Sequence, residues 1–263
     1  MNWSAVIAII VLAVLTFVLG HLTLKYRAMI RRTRDSGYGA PIPTVALEAF
    51  DPVFACGPFG PTTAAEVRFL GEGDGVPGGA SDRETWILAV LATRARSLFE
   101  FGTCTGKTAY LWAINSPADA AVATLTLAPQ DQARYAHAEG DAHEAQKFAL
   151  RESSFTEFLY SGTAAEPKIR QLFGDSKALD TAPWQRKCDL IFVDGSHARS
   201  YVESDSRKAL AMVAPGGIVL WHDYRGPTGS TRDVYHVLNE LSRDVKLARF
   251  AGTSLVAYRA PAG

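Results

Sequence analysis

The sequence of 263 residues carries 27 basic and 27 acidic side chains, so its formal net charge at pH 7 is zero. That balance argues against a nucleic-acid-binding surface spread over the whole chain, and we expect no nucleic-acid partner. The three cysteines stand far apart without a CxxC pair, which indicates neither a disulfide framework nor a zinc site and is typical of a reducing compartment.

The N-terminus contains an uncharged run, WSAVIAIIVLAVLTFVLGHLTL, over residues 3–24. As a helix it would be about 33 Å long, against roughly 30 Å of membrane hydrocarbon. The run lacks the polar stripe of a core helix, and no basic residue precedes it as in a cleaved signal peptide. We therefore predict that residues 1–35 form a single-pass anchor in the inner (cytoplasmic) membrane. By the positive-inside rule, the basic residues after the run place the rest of the chain in the cytoplasm, namely Lys25, Arg27, Arg31, Arg32 and Arg34.

Residues 36–80 are rich in glycine and proline, as in SGYGAPIP, CGPFGP and GEGDGVPGG, and are predicted to form a tether or lid. A capping-box pattern follows, in which Ser81 precedes Glu84 by three residues and opens the helix DRETWILAVLAT. We therefore place the beginning of the compact domain, residues 81–263, at this helix.

Strands and helices alternate after that point. The candidate strands are residues 97–101, 122–127, 169–173, 189–193 and 218–221, followed by the runs VKLARF and TSLVAYR. This alternation predicts an α/β fold with a doubly wound parallel sheet. The last two runs are joined by so short a link that they suit an antiparallel pair at the sheet edge. In such a sheet, ligands bind at the carboxyl ends of the strands.

The stretch LFEFGTCTGKT, residues 98–108, forms the first turn between a strand and a helix of this domain. It fails the dinucleotide fingerprint GxGxxG, because Cys104 and Lys107 stand where small residues are required. It also departs from the phosphate-binding pattern GxxxxGK[ST], because Phe101 stands at the position of the first glycine. A phosphotransferase or nucleoside triphosphatase built on this loop is kept as an alternative.

A third interpretation of the turn fits a ligand without phosphate. Glu100 stands near the end of the strand, where its carboxylate can accept hydrogen bonds from an ammonium group or from the amides of the turn. Gly102 and Gly106 allow a tight turn beneath the ligand. S-adenosylmethionine has an amino group and a positively charged sulfonium, so it suits this arrangement.

Five segments of the chain resemble class I S-adenosylmethionine-dependent methyltransferases, and within them a bacterial group: EFGTCTGKT, FGDS, DLIFVDGSHARSYVESD, APGGIVLWHDY and GTSLVAYR. The resemblance covers about residues 81–259 and implies a Rossmann-like, seven-stranded sheet with one antiparallel strand. It implies S-adenosylmethionine as cofactor, with Asp175 and Ser176 at the adenine ring. By position, the implied cofactor-binding residues are Glu100, Gly102, Thr103, Gly106, Thr126, Asp175, Ser176 and Asp194.

One of these positions departs from the family's pattern. Relatives typically carry an acidic residue at the end of the second strand, where it binds the ribose hydroxyls, whereas this chain has Thr126. A threonine makes only neutral hydrogen bonds, which are weaker than those of a carboxylate. Gln130 or Asp131 could take over this contact. A methyltransferase-like module that has lost catalysis therefore stays open as a second alternative.

The candidate catalytic residues follow two strands that the resemblance makes neighbours. Asp194 and His197 follow LIFV, and His222 and Asp223 follow IVLW. Methyl transfer to oxygen needs a positioned acceptor and a group that takes its proton, and a histidine or a carboxylate can do so. Related sugar O-methyltransferases bind magnesium here with two adjacent carboxylates, so Asp194 and Asp223 are also candidate Mg²⁺ ligands.

The acceptor itself is not encoded in a recognisable motif. We expect a small-molecule or glycan hydroxyl, and the predicted membrane anchor favours a lipid-linked or cell-envelope glycan. Three other polar residues are interpreted as structural: His137 and His143 on a solvated helix face, and Asp205 on the amphipathic helix YVESDSRKALAMV.

Overall fold

The computed structural model describes residues 2–35, 42–73, 75–76 and 78–263. The chain divides into two compact units, Met1–Ala40 and Pro41–Gly263. The first unit contains the helix α1, Trp3–Asp35. Its window Ile9–Tyr26 has a mean hydropathy of 1.9 and no buried residue, so it is long and apolar enough to cross a membrane. Two of its hydroxyls, on Thr16 and Thr23, donate to carbonyls one turn earlier at 2.8 Å, which satisfies them inside the helix.

The second unit is built on an eight-stranded sheet. Its strands are β1 Thr44–Val45, β4 Ser97–Phe101, β5 Ala121–Thr126, β6 Ile169–Phe173, β7 Cys188–Val193, β8 Val213–Trp221, β9 Ala248–Phe250 and β10 Val256–Arg259, and β2 Cys56–Gly57 with β3 Gly60–Pro61 form a separate hairpin. The order in the large sheet is β1-β9-β10-β8-β7-β4-β5-β6. Strand β10 pairs antiparallel with both β8 and β9, and the other pairings are parallel.

This sheet confirms the predicted Rossmann-like fold with one antiparallel strand. The difference from the prediction is an eighth strand, β1, which pairs parallel with β9 through two residues only. The sheet is doubly wound because β4 to β6 proceed toward one edge, whereas β7 and β8 lie on the other side of β4. The crevice at the carboxyl ends of β4 and β7 is therefore the position where this class of sheet binds ligands.

Helices cover both faces of the sheet. They are α2 Leu47–Phe50, α3 Asp82–Ala92, α4 Lys107–Asn115, α5 His143–Glu152, α6 Arg199–Met212 and α7 Arg232–Leu241. The predicted capping box at the start of α3 is present, with Ser81 and Glu84 bonded reciprocally. Strand β7 shows why the sheet is buried on both sides: Phe192 packs into the core beside α3 and α4, and its neighbour Ile191 packs into the core beside α6 and α7.

The described residues between 42 and 80 pack against the domain, whereas the sequence predicts a tether or lid. Leu47, Val53 and Phe54 are buried in the core beside α3, and β1 extends the main sheet. The carboxylate of Asp51 is buried and paired with Arg94 at 2.6 Å and with Arg259 from β10. The contact-based division therefore falls between residues 40 and 41 rather than at 80. A lid function for residues 36–80 stays a prediction, and residues 36–41 lie outside the described residues.

Candidate active site

The two glycines of the first turn are required by packing against protein. Gly102 has φ of +100°, and a Cβ there would lie 2.0 Å from the carbonyl oxygen of Asp194 and 2.9 Å from the Cα of Gly195. Gly106 has φ of +79°, and its Cβ would lie 2.8 Å from the ring of Tyr160. Both positions therefore need glycine because neighbouring chain segments approach the turn, in addition to the left-handed backbone. The predicted tight turn is present, and contacts with other chain segments are a further reason for glycine at both positions.

Glu100 lies in β4 just before the turn, and its side chain is buried. Its Oε2 accepts a 2.6 Å hydrogen bond from Thr124, whose hydroxyl is 2.8 Å from that of Thr103. Gln171 donates to the Thr103 hydroxyl and accepts from Tyr160. Burial raises the pKa of Glu100 to about 8, against the opposing hydrogen bond from Thr124. Glu100 therefore supports the turn through a chain of hydroxyl and amide groups.

The raised pKa of Glu100 predicts a pH-dependent stability. Between about pH 4.5 and pH 8 the folded chain holds a proton on this group that the unfolded chain has lost, so its contribution to stability falls as pH rises. In the wild type, Glu100 should lower the free energy of unfolding by up to about 1.4 kcal/mol for each pH unit in this range. Glu100→Gln has no such proton, so we expect this part of the pH dependence to disappear. Urea unfolding of both proteins at pH 5.5 and 7.5 measures the difference, and equal pH slopes would contradict the assignment of a proton to Glu100.

A first cleft lies at the carboxyl ends of β4, β5, β6 and β7 and is closed by α5 and α6. Its volume is about 570 Å³ counted with its solvent-open mouth. Five of the predicted cofactor-binding residues line it, namely Gly102, Thr126, Asp175, Ser176 and Asp194. The other three, Glu100, Thr103 and Gly106, lie behind or beside the turn and do not contribute to its wall.

The first cleft is acidic. Its described lining residues include four carboxylates, from Glu152, Asp175, Asp194 and Asp205, and no lysine or arginine. Burial raises the pKa of Glu152 and of Asp205 to about 7 and also raises that of Asp194, so the wall is only partly ionised near neutral pH. Its remaining negative charge disfavours a phosphate and favours a cation. The electrostatics of this cleft therefore fit a positively charged ligand such as a sulfonium.

The lysine of the turn has no role in this cleft. Lys107 donates through Nζ to the carbonyl of Gly71 at 2.8 Å, and it lines neither the first cleft nor the second cleft described below. In a phosphate-binding loop this lysine reaches the phosphates of the ligand. The geometry around Lys107 therefore disfavours the phosphotransferase alternative.

Thr126 at the end of β5 is not replaced by a carboxylate from the residues that follow it. Thr126 is buried and lines the first cleft. The proposed substitutes, Gln130 and Asp131, do not line it, and Asp131 pairs instead with Arg134 at 3.2 Å. Glu152, the last residue of α5, contributes an acidic side chain to this cleft.

A second cleft adjoins the first and contains the four candidate catalytic residues. Its volume is about 770 Å³ with its open mouth, and it shares Cys104, Glu152 and Asp194 with the first cleft. The strand ladder sets its geometry: the amide of Asp194 donates to the carbonyl of Phe101 at 2.9 Å, and the amide of His222 donates to that of Val193 at 3.1 Å. Asp194, His197, His222 and Asp223 therefore meet, as their positions after neighbouring parallel strands predict.

His222 is held between carboxylates. Its Nδ1 is 2.9 Å from Asp194, and its Nε2 is 3.4 Å from Glu84. Burial alone would lower the pKa of His222, but the charges of Asp194, Glu84 and Asp223 raise it well above its ordinary value. The hydrogen bonds from His222 and Ser254 in turn hold the pKa of Glu84 below its usual range, against burial. Both ring nitrogens of His222 are therefore engaged.

His197 presents a different arrangement. Its Nε2 lies 2.7 Å from Asp223, and its buried Nδ1 has no hydrogen-bond partner among the described residues. Arg225 donates to the other oxygen of Asp223 at 2.8 Å. Asp223 has φ of +62°, a conformation that is uncommon for a residue other than glycine and that holds its carboxylate toward both partners. Asp223 therefore orients the imidazole of His197, and its hydrogen bond and charge raise the pKa of that imidazole against the effect of burial.

The same cluster contains the predicted magnesium ligands Asp194 and Asp223. Ligand atoms of Asp194, His222 and Asp223 lie within 4.8 Å of one another. Each of these groups already bonds an oppositely charged neighbour, because Asp194 binds His222, and Asp223 binds His197 and Arg225. Magnesium prefers oxygen ligands, and it would have to displace these bonds. The cluster therefore fits the metal poorly as it stands, and the predicted magnesium dependence stays a prediction.

Sequence patterns missed two residues of this site. The sequence indicates Glu84 only as part of a helix cap. Its contact with His222 arises because α3 lies against the end of β8. Glu152 gave no signal, because 42 residues separate it from Asp194 and only the packing of α5 brings it to both clefts. Burial raises the pKa of Glu152 to about 7, helped by the charge of Asp194.

Part of the chain is similar to known proteins. Residues 99–224 match a family model described as a methyltransferase domain. Among curated proteins, no sequence matches the chain. The match supports a methyltransferase domain over the part of the chain from β4 to β8.

Several solved structures are similar to this chain. One is the O-methyltransferase TomG from Streptomyces achromogenes, involved in tomaymycin synthesis and crystallised with S-adenosylmethionine, at 18% identity over 69% of this chain and 82% of that chain, with a TM-score of 0.47. Another is a methyltransferase from Podospora anserina bound to S-adenosylhomocysteine, at 14% identity over 71% and 81%, with a TM-score of 0.46. A third is an O-methyltransferase from Bacillus cereus in complex with S-adenosylhomocysteine, at 13% identity over 70% and 84%, with a TM-score of 0.44.

Proposed function

We propose that this chain is a membrane-anchored, S-adenosylmethionine-dependent methyltransferase that methylates a hydroxyl group. The observation that carries the proposal is the pair of clefts that share Glu152 and Asp194: one is acidic without lysine or arginine among its described lining residues, and the other contains His197 bonded to Asp223. A methyl donor in the first cleft and an acceptor in the second would meet at the shared wall. The methyltransferase match over residues 99–224 supports this assignment.

The first cleft provides groups suited to the donor. Gly102, Thr126, Asp175, Ser176 and Asp194 would hold it, and S-adenosylmethionine, when bound, supplies an electrophilic methyl group. The carboxylates of Glu152 and Asp194 stabilise positive charge at the shared wall. Glu100 and Thr103 keep the turn in place from behind.

In the second cleft, His197 takes the proton of the acceptor hydroxyl. With Nε2–H donated to Asp223, the neutral imidazole has its lone pair on Nδ1, the nitrogen that has no partner among the described residues. Asp223 fixes this tautomer and stabilises the imidazolium that forms. His222 is a positioning residue, because its bond to Asp194 joins the ends of β7 and β8 and its contact with Glu84 joins the end of β8 to α3.

Binding measurements separate this function from its alternatives. Calorimetric titration of the full chain in detergent with S-adenosylmethionine, S-adenosylhomocysteine and ATP with magnesium should give heat for the first two and none for the third. Binding of ATP alone would favour a phosphotransferase. Binding of S-adenosylmethionine without methyl transfer to any extract would favour the inactive module. Addition of EDTA during the transfer assay tests the magnesium expectation, and a loss of activity reversed by magnesium would contradict the poor fit.

The membrane anchor gives a separate prediction. We expect the protein to fractionate with membranes and to resist carbonate extraction, because the window Ile9–Tyr26 is apolar enough to span the bilayer. A C-terminal reporter should be active in the cytoplasm, since basic residues follow the run. A reporter active only outside the cytoplasm would show that the orientation is wrong. The acceptor we propose is a small-molecule or glycan hydroxyl, reached by an enzyme held at the membrane.

Replacing Thr126 with an acidic residue should increase the affinity for S-adenosylmethionine. We expect Thr126→Asp to tighten S-adenosylmethionine binding about tenfold, because a carboxylate at the end of β5 would accept charge-assisted hydrogen bonds from the ribose hydroxyls. Thr126→Asn is the matched control, because asparagine has nearly the same shape as aspartate but no charge. It should change the affinity for S-adenosylmethionine much less. Calorimetry of the three proteins decides, and an unchanged or weaker affinity of Thr126→Asp would mean that no donor faces this position.

A further inference from the structure

A third cleft adjoins the second and has no part in the reaction described so far. It lies between the start of α3, the end of β8 and the turn from β9 to β10, and its volume is about 1010 Å³ counted with its open mouth. It shares Gly79 and Arg225 with the second cleft and no residue with the first. An acceptor whose hydroxyl reaches His197 in the second cleft can therefore extend into the third.

The hydroxyl groups that line the third cleft are already used by the protein. Ser81 and Ser254 both donate to the carboxylate of Glu84, at 2.8 Å each. Thr253 donates to the carbonyl of Phe250 at 2.9 Å. A hydroxyl has a single hydrogen to donate, so these three side chains have no donor left for a ligand.

The carboxylates of the third cleft have positive neighbours of their own. Glu84 lies 3.4 Å from the imidazole of His222. Burial lowers the pKa of Lys107, and the charges of Asp82 and Glu72 oppose that shift, so the Glu72 carboxylate lies near the Lys107 ammonium. The negative charges on this wall are therefore balanced without the two arginines that line the same cleft.

Those two arginines have donors to spare. Arg225 donates through Nε to Asp223 at 2.8 Å, and its two terminal nitrogens have no hydrogen-bond partner among the described residues. The guanidinium of Arg249 lies over the ring of Tyr224, 5.8 Å from its centroid, and makes no side-chain hydrogen bond or ion pair within the described part of the chain. The ring holds this cation at the cleft and leaves its N–H groups available.

We propose that the methyl acceptor carries an anionic group, a phosphate or a carboxylate, which Arg249 and Arg225 bind in the third cleft while the acceptor hydroxyl meets His197 in the second. This inference rests on the proposed function, since it takes the second cleft as the place of the reacting hydroxyl. The planar guanidinium donates two parallel hydrogen bonds to a phosphate or a carboxylate, and such charge-assisted bonds are stronger than neutral ones. A neutral acceptor would leave these donors without an ionic partner.

The charge of the methylated product tests the proposal without any variant. The full-length protein in detergent is incubated with methyl-labelled S-adenosylmethionine and an extract of the source organism. The products are then separated on an anion exchanger at about pH 8, where carboxylates and phosphates are ionised. We expect the label in the retained fraction. Loss of retention after cold aqueous hydrogen fluoride, which cleaves phosphate esters, identifies a phosphate, and loss after carbodiimide coupling to methylamine identifies a carboxylate.

Substitution of Arg249 tests which residue recognises the anion. In Arg249→Gln we expect the amount of extract that gives half-maximal rate to rise at least about tenfold, because a charge-assisted bond is lost. The maximal rate and the affinity for S-adenosylhomocysteine should stay unchanged, since Arg249 lines neither the first nor the second cleft. Arg249→Lys keeps the charge and should restore most of the loss. Arg243→Gln removes an exposed arginine that lines none of the three clefts, and it should behave as the wild type.

The possible failures are distinguishable. A labelled product that passes the anion exchanger unretained overturns the anionic acceptor and leaves the methyltransferase assignment intact. A folded Arg249→Gln protein that needs no more extract than the wild type overturns the role of Arg249. Absence of both methyl transfer and S-adenosylhomocysteine binding in the wild type overturns the proposed function itself.

Discussion

Replacing Gly102 with alanine is expected to destabilise the sheet by more than about 3 kcal/mol and to abolish binding of S-adenosylmethionine. The new Cβ would lie 2.0 Å from the carbonyl oxygen of Asp194, which is backbone and cannot move aside as a flexible side chain could. The left-handed φ of +100° adds strain for any residue with a side chain. Urea unfolding gives the loss of stability, and calorimetry gives the loss of binding.

Gly162→Ala is the matched control for this substitution. Gly162 also has a left-handed φ, +72°, but a Cβ there would meet nothing within 4 Å. Gly162→Ala should lower the stability only by the backbone strain of about 1 kcal/mol and should leave binding of S-adenosylmethionine unchanged. If Gly102→Ala were no more destabilising than Gly162→Ala, the close approach of the ends of β4 and β7 would be wrong.

The second large effect concerns catalysis. We expect His197→Gln to lower the rate of methyl transfer by about 10² to 10⁴, because the acceptor loses its general base. Binding of S-adenosylhomocysteine should be unchanged, since His197 lines the second cleft and not the first. The measurement is the initial rate of labelled-methyl transfer from S-adenosylmethionine into a cell extract, together with calorimetry of the same protein.

Two further variants make this result specific. Asp223→Asn should also slow transfer, because the neutral amide no longer stabilises the imidazolium of His197. His143→Gln changes a histidine that stacks on His137 away from both clefts, and its rate should equal that of the wild type. A His197→Gln enzyme with wild-type rate would exclude His197 as the base.

Most of the fold could be predicted from the sequence, because apolar strands and amphipathic helices alternate regularly along the chain. Alternate residues of strands such as β7 pack into the two opposite cores, and this continuous apolar run was visible in the sequence. Strand β1 was not predictable, since two residues carry no periodicity and its pairing depends on β9 about 200 positions later. The packing of residues 42–80 was missed for a similar reason: their glycines and prolines indicate turns, and isolated residues such as Phe54 supply the burial.

The sequence predicted the residues of the candidate site only where they directly follow a strand. Asp194 and His222 follow strands that neighbour each other in the sheet, so their meeting follows from topology. Glu152 and Asp205 project from helices, and no spacing rule connects a helix residue to a cleft formed by distant strand ends. The glycines of the turn were recognised as necessary, but the atoms that exclude a side chain belong to residues about 55 to 90 positions away, which only the three-dimensional structure shows.

Hydrogen–deuterium exchange with S-adenosylhomocysteine tests the central claim most directly, because it shows where a cofactor binds in the full chain. We predict slower exchange of amides in the segments that line the first cleft, residues 101–104, 125–127, 174–176 and 194–196. Exchange in the hairpin of β2 and β3, residues 56–61, should stay unchanged. Protection confined to other parts of the chain, or no protection at saturating ligand, would contradict the assignment of the first cleft to S-adenosylmethionine.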